Sequence, residues 1–124
     1  MRTILVVAGA PESRERLVDI LAQASYEVVG ADSFESALNL APSVLPDLIL
    51  MAIVMPGLNG LEAAALLRRQ PESRSVPIIL LGSMPPLGIN DEPLASLVNG
   101  YLNFDVSQEE LLEFVSKQFA VNGR

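Results

Sequence analysis

Five short apolar runs alternate along the chain with stretches of helical period, and this order limits the possible folds more than any other feature. The runs read "TILVV", "EVVGA", "LILMAIV", "VPIILL" and "GYLN". Strands that alternate with helices form βα units with right-handed crossovers and a parallel sheet. The uninterrupted hydrophobicity of "LILMAIV" and "PIILL" is typical of strands that helices cover on both faces. We therefore expect an α/β fold with a doubly wound, five-stranded parallel sheet.

The first two helical segments carry signals for their boundaries. The first has an apolar stripe at the spacing of one helix face, made of Leu17, Ile20, Leu21 and Ala24. Its charged residues are expected in solvent, and they are Arg14, Arg16 and Asp19. In the second segment Asp32 and Glu35 have the spacing of a capping box. We expect Pro42 to end this helix, because proline cannot donate the backbone hydrogen bond of a helix interior.

The later segments differ in regularity. A third helix is predicted from about Leu58 to Arg69. The run "SMPPLGINDEPLASLVNG" contains three prolines, so only about Glu92 to Val98 can be helical within it. The last helix is expected to open with a capping box of Ser107 and Glu110. Its predicted buried face consists of Leu111, Leu112, Val115 and Phe119.

Composition and charge exclude several classes of function. The chain has 124 residues with no cysteine and no histidine, so disulfides, thiolate nucleophiles and the commonest metal ligands are missing. Eight basic and 15 acidic residues give a net charge of -7, which opposes direct binding to nucleic acid. The run "ILVVAGA" is too short to span a membrane, and no signal-peptide pattern surrounds it. We expect a cytoplasmic protein without a membrane partner.

The residues at the predicted strand ends carry little chemistry. In an open parallel sheet, ligands bind in the crevice beyond the carboxyl ends of the strands. The residues expected there are small or apolar apart from one asparagine: Ala8, Gly9, Ala52, Gly82, Asn103 and Phe104. None of them supplies a carboxylate, a hydroxyl or a cation. We therefore expect no catalytic residues, no metal site and no cofactor at this edge.

Longer pieces of the sequence carry a family resemblance. They are "ILVVAGAPESR", "YEVVGADSFESAL", "PDLILMAIVMPGLNGLE", "VPIILLGS" and "GYLNFDVSQEELL". Over essentially all of its length the chain resembles the receiver domain of bacterial two-component response regulators. The resemblance implies one flavodoxin-like (βα)5 domain over residues 1–124 with the strand order 2-1-3-4-5. Whether an output domain follows Arg124 in a longer protein is left open at this point.

The resemblance also implies which positions would carry the chemistry of the family. Such receivers accept a phosphoryl group from a histidine kinase on an aspartate after the third strand, with Mg²⁺ held beside an acidic pair after the first. The acidic pair falls on Ala8 and Gly9, and the phosphoacceptor falls on Ala52. The hydroxyl position falls on Gly82 and the lysine position on Phe104. We therefore expect a degenerate pocket that neither binds Mg²⁺ nor is phosphorylated.

Other residues are poor substitutes for this missing chemistry. Ser83 lies one residue beyond the hydroxyl position, and a shift of one residue along a strand turns the side chain to the other face. Asp47 begins its strand at the far end of the sheet, and Asp105 is expected at the start of the last helix. Both aspartates are expected to cap backbone groups or to be solvated.

Tyr101 falls on the position of an aromatic residue that, in the family, rotates on phosphorylation. Because its partner position is Gly82, our hypothesis is that Tyr101 rests permanently in one rotamer. A tyrosine packed only for its buried area is the alternative. The candidate interface contains apolar residues expected near the last strand and helix: Leu94, Val98, Tyr101, Phe104 and Phe114. Ordinary packing is the alternative for these residues as well.

The sequence leads to one main functional hypothesis and one alternative. We expect a phosphorylation-independent signalling module, not an enzyme, that binds a protein partner such as a kinase, another signalling protein or an output domain. A homodimer is one form that this contact can take. The alternative is a small-ligand sensor that uses the crevice at the carboxyl ends of the strands. Neither hypothesis names the partner.

Overall fold

The computed structural model describes residues 2–52, 60–82, 97–103 and 105–122, with side chains up to residue 119. Its strands are β1 (Thr3–Val7), β2 (Glu27–Ala31), β3 (Leu48–Ala52), β4 (Ile78–Gly82) and β5 (Gly100–Asn103). In these ranges the helices are α1 (Pro11–Gln23), α2 (Phe34–Val44), α3 (Gly60–Arg68) and α4 (Gln108–Asn122). From β1 to β4 the strands and helices alternate as the sequence predicts.

The five strands form one parallel sheet in the order β2-β1-β3-β4-β5. The order reverses between β1 and β3, so their carboxyl ends flank the crevice in which open α/β sheets bind ligands. Val7 lies opposite Met51, and this register brings the next residues, Ala8 and Ala52, to the same edge. The predicted flavodoxin-like α/β fold and its strand order are confirmed.

Helices cover both faces of the sheet, and each face has its own apolar core. Successive strand residues point to opposite faces. Leu5 and Ile49 therefore pack with α2 and α3, whereas Ile4 and Leu48 pack with α1 and α4. All residues of β3 and β4 are buried, as their uninterrupted hydrophobicity predicts. Burial of this apolar surface is the main favourable term in folding.

The buried face of α1 is shorter than predicted. Leu17, Ile20 and Leu21 are buried, which confirms most of the predicted stripe. The prediction for Ala24 is wrong, because this residue is exposed and caps the helix instead of belonging to it. The chain turns at Ser25 with a left-handed φ of 74°, so the stripe cannot continue.

The start of α2 lies one residue later than its predicted cap. The Ser33 hydroxyl accepts a hydrogen bond of 3.0 Å from the backbone N–H of Ser36. Serine and aspartate are both good N-caps, but Ser33 is the residue with an extended backbone directly before the first helical turn. The predicted capping box of Asp32 and Glu35 is therefore wrong.

Pro42 lies inside α2 and does not end it, because the helix continues to Val44. Proline lacks the N–H that would bond to the carbonyl four residues earlier, here that of Leu38. The side-chain amide of Gln70 donates a hydrogen bond of 2.9 Å to this carbonyl instead. Gln70 lies beyond α3, so no signal within α2 could reveal the compensation. α2 ends at Val44, because the next residue, Leu45, has a left-handed φ of 51°.

The segments around α3 are described in part. α3 is described from Gly60 and ends at Arg68, so the predicted start at Leu58 lies outside the described residues and the predicted end is one residue too late. Most of the predicted helical stretch from Glu92 to Val98 also lies outside them. Leu97 and Val98 are described and are not helical, which corrects the end of that stretch.

α4 opens with the predicted capping box. The Ser107 hydroxyl accepts a hydrogen bond of 3.1 Å from the N–H of Glu110, and the Glu110 carboxylate accepts one of 3.4 Å from the N–H of Ser107. Leu111, Val115 and Phe119 are buried as predicted, whereas Leu112 is only half-buried. Over the described part of the chain, no helix has the length and hydrophobicity of a membrane span.

Candidate functional site

Two buried methyl groups lie where β1 and β3 end. Ala8 follows β1 directly and is 2% exposed, and Ala52 is the last residue of β3 and is 4% exposed. The N–H of Ala8 donates a hydrogen bond of 3.0 Å to the carbonyl of Ala31, which keeps Ala8 beside the end of β2. A methyl group is neither a nucleophile nor a metal ligand, so any chemistry at this point has to come from other residues.

Gly82 lies at the same edge, at the end of β4, and is buried. It pairs in register with the last residue of β5. Gly9 follows Ala8 and is exposed. The structure thus brings Ala8, Ala52 and Gly82 to one edge of the sheet. Phe104, the remaining member of the predicted pocket, lies outside the described residues.

The two aspartates considered above as substitutes, Asp47 and Asp105, form other hydrogen bonds. A carboxylate oxygen of Asp47, at the opposite edge of the sheet, accepts a hydrogen bond of 2.8 Å from the N–H of Thr3. Asp105 is exposed, and its N–H donates a bond of 2.9 Å to the side-chain oxygen of Asn103. Within the described ranges, no three acidic side chains are grouped so that they could hold a metal ion. Mg²⁺ prefers oxygen ligands of that kind.

Arg14 brings a positive charge to this edge, a role that the sequence analysis missed. Its Nη1 donates a hydrogen bond of 2.7 Å to the carbonyl oxygen of Ala8, and its side chain is half-buried instead of solvated. The stem lies across Gly30 of β2, where a Cβ would be 3.3 Å from Cδ of Arg14. The glycine thus makes room for the arginine. A glycine inside the run "EVVGA" is the sequence signal for such a close approach.

Tyr101 of β5 is half-buried against the core that α2 and α3 cover. Its hydroxyl donates a hydrogen bond of 3.4 Å to the carbonyl oxygen of Gly82. Leu97 and Val98 pack against the same core. Both the ring and the hydroxyl of Tyr101 therefore have partners within the domain. Leu94, another member of the predicted interface, lies outside the described residues.

Phe114 of α4 lies on the other face of the sheet. It packs against the core that α1 and α4 cover, and a Cβ at Gly100 of β5 would be only 2.9 Å from Cζ of Phe114. Val98 and Tyr101 belong to the opposite core. The described members of the predicted interface are therefore half-buried and divided between the two faces of β5.

A shallow groove of about 380 Å³ separates α1 from the connection between β5 and α4. Its lining includes Ser13, Arg16, Leu17 and Asp105. Arg16 is exposed as predicted, and its Nη2 also donates a hydrogen bond of 2.9 Å to the carbonyl of Val106, which joins α1 to the connection. A small molecule in this groove would contact the charged side chains of Arg16 and Asp105. A small molecule beside the methyl groups of Ala8 and Ala52 would not contact these two side chains.

Comparison with known proteins gives relatives over nearly the whole chain. Residues 4–116 match the family described as the response regulator receiver domain. Protein PilH of Pseudomonas aeruginosa is 29% identical over 120 residues, which are 97% of this chain and 99% of that protein. The phosphate regulon transcriptional regulatory protein PhoB of Klebsiella pneumoniae is 32% identical over 114 residues. That match covers 90% of this chain but only 48% of PhoB, so the chain spans about half the length of that relative.

Solved structures show the same similarity. The chemotaxis protein CheY4 of Vibrio cholerae superposes with a TM-score of 0.87 at 26% identity, and the match covers 94% of this chain and 98% of CheY4. The sheet order described above and the extent of the sequence match agree with this superposition. The chain therefore belongs to the response regulator receiver domain family.

Proposed function

We propose that this receiver domain signals through protein contacts that do not depend on phosphorylation after β3. The observation that carries the proposal is Ala52, a methyl group 4% exposed at the end of β3. By resemblance this is the phosphoacceptor position of the family. An acyl phosphate forms only on a carboxylate, and an alanine side chain has none.

The surroundings of Ala52 also disfavour Mg²⁺. Ala8 and Gly9 fall on the acidic pair that holds the metal in the family, and neither has a side-chain oxygen. The carbonyl of Ala8 already accepts a hydrogen bond of 2.7 Å from the guanidinium of Arg14. A fixed cation repels a second cation at short range, so the guanidinium of Arg14 disfavours a metal ion near the carbonyl of Ala8.

On this proposal, the surface around β5 has one conformation that does not change on signalling. Gly82 supplies a backbone carbonyl but no side-chain hydroxyl to the tyrosine beside it. The hydrogen bond of 3.4 Å from the Tyr101 hydroxyl to that carbonyl supports one lasting position of the ring. A residue that has a single position cannot transmit a phosphorylation signal, so the face would be presented constantly to its partner.

The expected partner is a protein, and the expected activity is binding rather than catalysis. Relatives such as PhoB are named as transcriptional regulatory proteins, and this chain matches about half of PhoB. The net charge of -7 argues against direct contact with nucleic acid. The small-ligand alternative stays a prediction, since Ala8 and Ala52 are covered and do not favour it.

A phosphotransfer assay tests the proposal. The chain is incubated with acetyl phosphate and Mg²⁺, and bound phosphoryl groups are measured by intact-protein mass spectrometry. We expect no acid-stable or acid-labile phosphorylation. A triple variant with Ala8→Asp, Gly9→Asp and Ala52→Asp, which restores the three acidic positions, is the matched control. Stoichiometric phosphorylation of the unaltered chain would overturn the proposal.

A second measurement concerns the partner. Proteins captured from lysate by the immobilised chain are compared with and without acetyl phosphate. The proposal predicts equal recovery in both conditions. Recovery that requires the phosphodonor, together with a phosphoryl group on the captured chain at the end of β3, would contradict it.

A further inference from the structure

A guanidinium at the end of α3 joins three backbone segments near the amino edge of the sheet. Nε of Arg68 donates a hydrogen bond of 3.0 Å to the carbonyl of Leu97, and Nη2 donates one of 2.9 Å to the side-chain oxygen of Asn99. Nη1 lies within hydrogen-bond distance of further carbonyls in the connection from α3 to β4, those of Ser73, Arg74 and Val76. One side chain thus contacts α3, the α3–β4 connection and the residues before β5.

Among the described residues, the acceptors around Arg68 are neutral. They are backbone carbonyls and one amide oxygen, so directional hydrogen bonds hold the half-buried guanidinium. Burial lowers the pKa of Arg68, but a guanidinium remains protonated in proteins. Several acceptors arranged around a planar fork fit arginine and not lysine, whose ammonium is a compact charge on a flexible stem.

Asn99 transmits this anchoring to the last strand. Its side-chain oxygen also accepts a hydrogen bond of 2.9 Å from the N–H of Ile78, and its own N–H donates one of 2.7 Å to the carbonyl of Ile78. Asn99 is therefore paired in both directions with the first residue of β4. β5 begins at the next residue, and Tyr101 follows.

We infer that Arg68 is the positioning residue for the start of β5, fixing residues 97–99 against α3 and thereby the places of Val98 and Tyr101. Leu97 and Val98 have no regular structure of their own to hold them. The interaction with Arg68 supplies that restraint through the carbonyl of Leu97 and the side chain of Asn99. The inference rests on the proposed function only in using the surface around Val98 and Tyr101 for binding. The restraint by Arg68 itself involves no phosphorylation.

Amide hydrogen exchange in Arg68→Lys tests the inference, with Arg69→Lys as the matched control. Arg69 is the next residue and is exposed. Loss of the forked hydrogen bonds is expected to raise exchange at residues 99–101 by about tenfold or more in Arg68→Lys. Exchange at Leu5 and Leu50, in β1 and β3, should stay at its original rate. Arg69→Lys should change neither region.

Two results would overturn the inference. One is unchanged exchange at residues 99–101 in Arg68→Lys. The other is an equal rise throughout the sheet, which would mean that the arginine contributes only to overall stability. Both readouts are independent of any partner and of phosphorylation, so failure of the proposed function and failure of this inference can be told apart.

Chemical rescue keeps the test decisive if Arg68→Lys folds poorly. Arg68→Ala leaves the ring of oxygens without its cation, and methylguanidinium at millimolar concentration can enter the space. Renewed protection of residues 99–101 by methylguanidinium, but not by methylammonium at equal ionic strength, is the expected result. Equal effects of the two ions would contradict the need for a fork. Asn99→Ala, which keeps Arg68, should raise exchange at residues 100–101 in the same way, and no rise would count against the inference.

Discussion

An aspartate in place of Ala52 should destabilise the domain without creating a magnesium site. Ala52 is 4% exposed at the end of β3, beside the equally covered methyl group of Ala8. A carboxylate at this position loses most of its hydration, and Ala8 and Gly9 supply no second carboxylate to share a metal ion. We expect the pKa of the new carboxyl group to lie about two units above its unfolded value of about 3.9, because the site is at the edge of the sheet rather than at its centre.

The size of the effect follows from that shift. One pKa unit corresponds to about 1.4 kcal/mol, so ionisation lowers the unfolding free energy of Ala52→Asp by about 2.7 kcal/mol at about pH 7. The unfolded chain releases the proton first, since its carboxyl group has the lower pKa. The penalty is therefore absent below about pH 3, grows as the pH rises and levels off above about pH 6. Asparagine has a shape similar to that of aspartate but carries no charge. The difference in stability between Ala52→Asp and Ala52→Asn therefore isolates the cost of ionisation.

Urea unfolding of the unaltered chain and of both variants measures the penalty. We expect Ala52→Asp and Ala52→Asn to be equally stable at about pH 3 and to differ by about 2–3 kcal/mol at about pH 7. Mg²⁺ should not move the midpoint of Ala52→Asp, whereas a site filled at a hundred times its Kd would add about 2.7 kcal/mol. Equal stability of the two variants at neutral pH, or selective stabilisation of Ala52→Asp by Mg²⁺, would contradict an unpaired, poorly hydrated carboxylate at this strand end.

Further substitutions test individual contacts by urea unfolding. Gly100→Ala is expected to cost about 1–3 kcal/mol, because its Cβ would be 2.9 Å from Cζ of Phe114. Combining Gly100→Ala with Phe114→Leu should recover part of that loss. An equal cost of Gly100→Ala with and without Phe114→Leu would show that the two residues do not clash. Gln70→Ala is expected to cost about 1–2 kcal/mol by leaving the carbonyl of Leu38 without its partner. An unchanged midpoint would mean that another group serves this carbonyl. Ser107→Ala should cost about 1 kcal/mol as the cap of α4 is lost, and Ser107→Asp, which keeps an acceptor, should cost less; equal losses would argue against a cap.

Sequence patterns that span only a few residues predicted the fold well. Uninterrupted apolar runs identified β3 and β4, and both are buried throughout. The spacing of Ser107 and Glu110 located the start of α4, since both halves of a capping box lie within one helical turn. The same kind of signal was ambiguous before α2, where two good capping residues are adjacent and Ser33 is the one that caps.

Contacts between distant segments could not be predicted in the same way. Pro42 is tolerated because Gln70, 28 positions later, donates to the carbonyl that the proline leaves unpaired. Arg14 was expected in solvent, but it is drawn to the sheet because Gly30 leaves space for its stem. Each case depends on a residue from another element, so a pattern within one segment carries no information about it.

The grouping of three residues of the predicted pocket follows from the strand ends alone. Ala8, Ala52 and Gly82 meet at one edge because the carboxyl ends of parallel strands always do. The predicted interface depended on which face each side chain occupies. Tyr101 and Phe114 belong to opposite cores, because Tyr101 and the glycine under Phe114 are consecutive in β5 and point to opposite sides.

Binding of Mg²⁺ and beryllofluoride, an analogue of a bound phosphoryl group, tests whether the end of β3 can take part in phosphorylation. The two are titrated together into the isotope-labelled chain, and the amide resonances of Ala8, Ala52 and Tyr101 are followed by nuclear magnetic resonance. We expect no saturable shift of these resonances at millimolar concentrations of Mg²⁺ and beryllofluoride. Saturable shifts at Ala8 and Ala52, accompanied by a change at Tyr101, would contradict a domain that signals without phosphorylation.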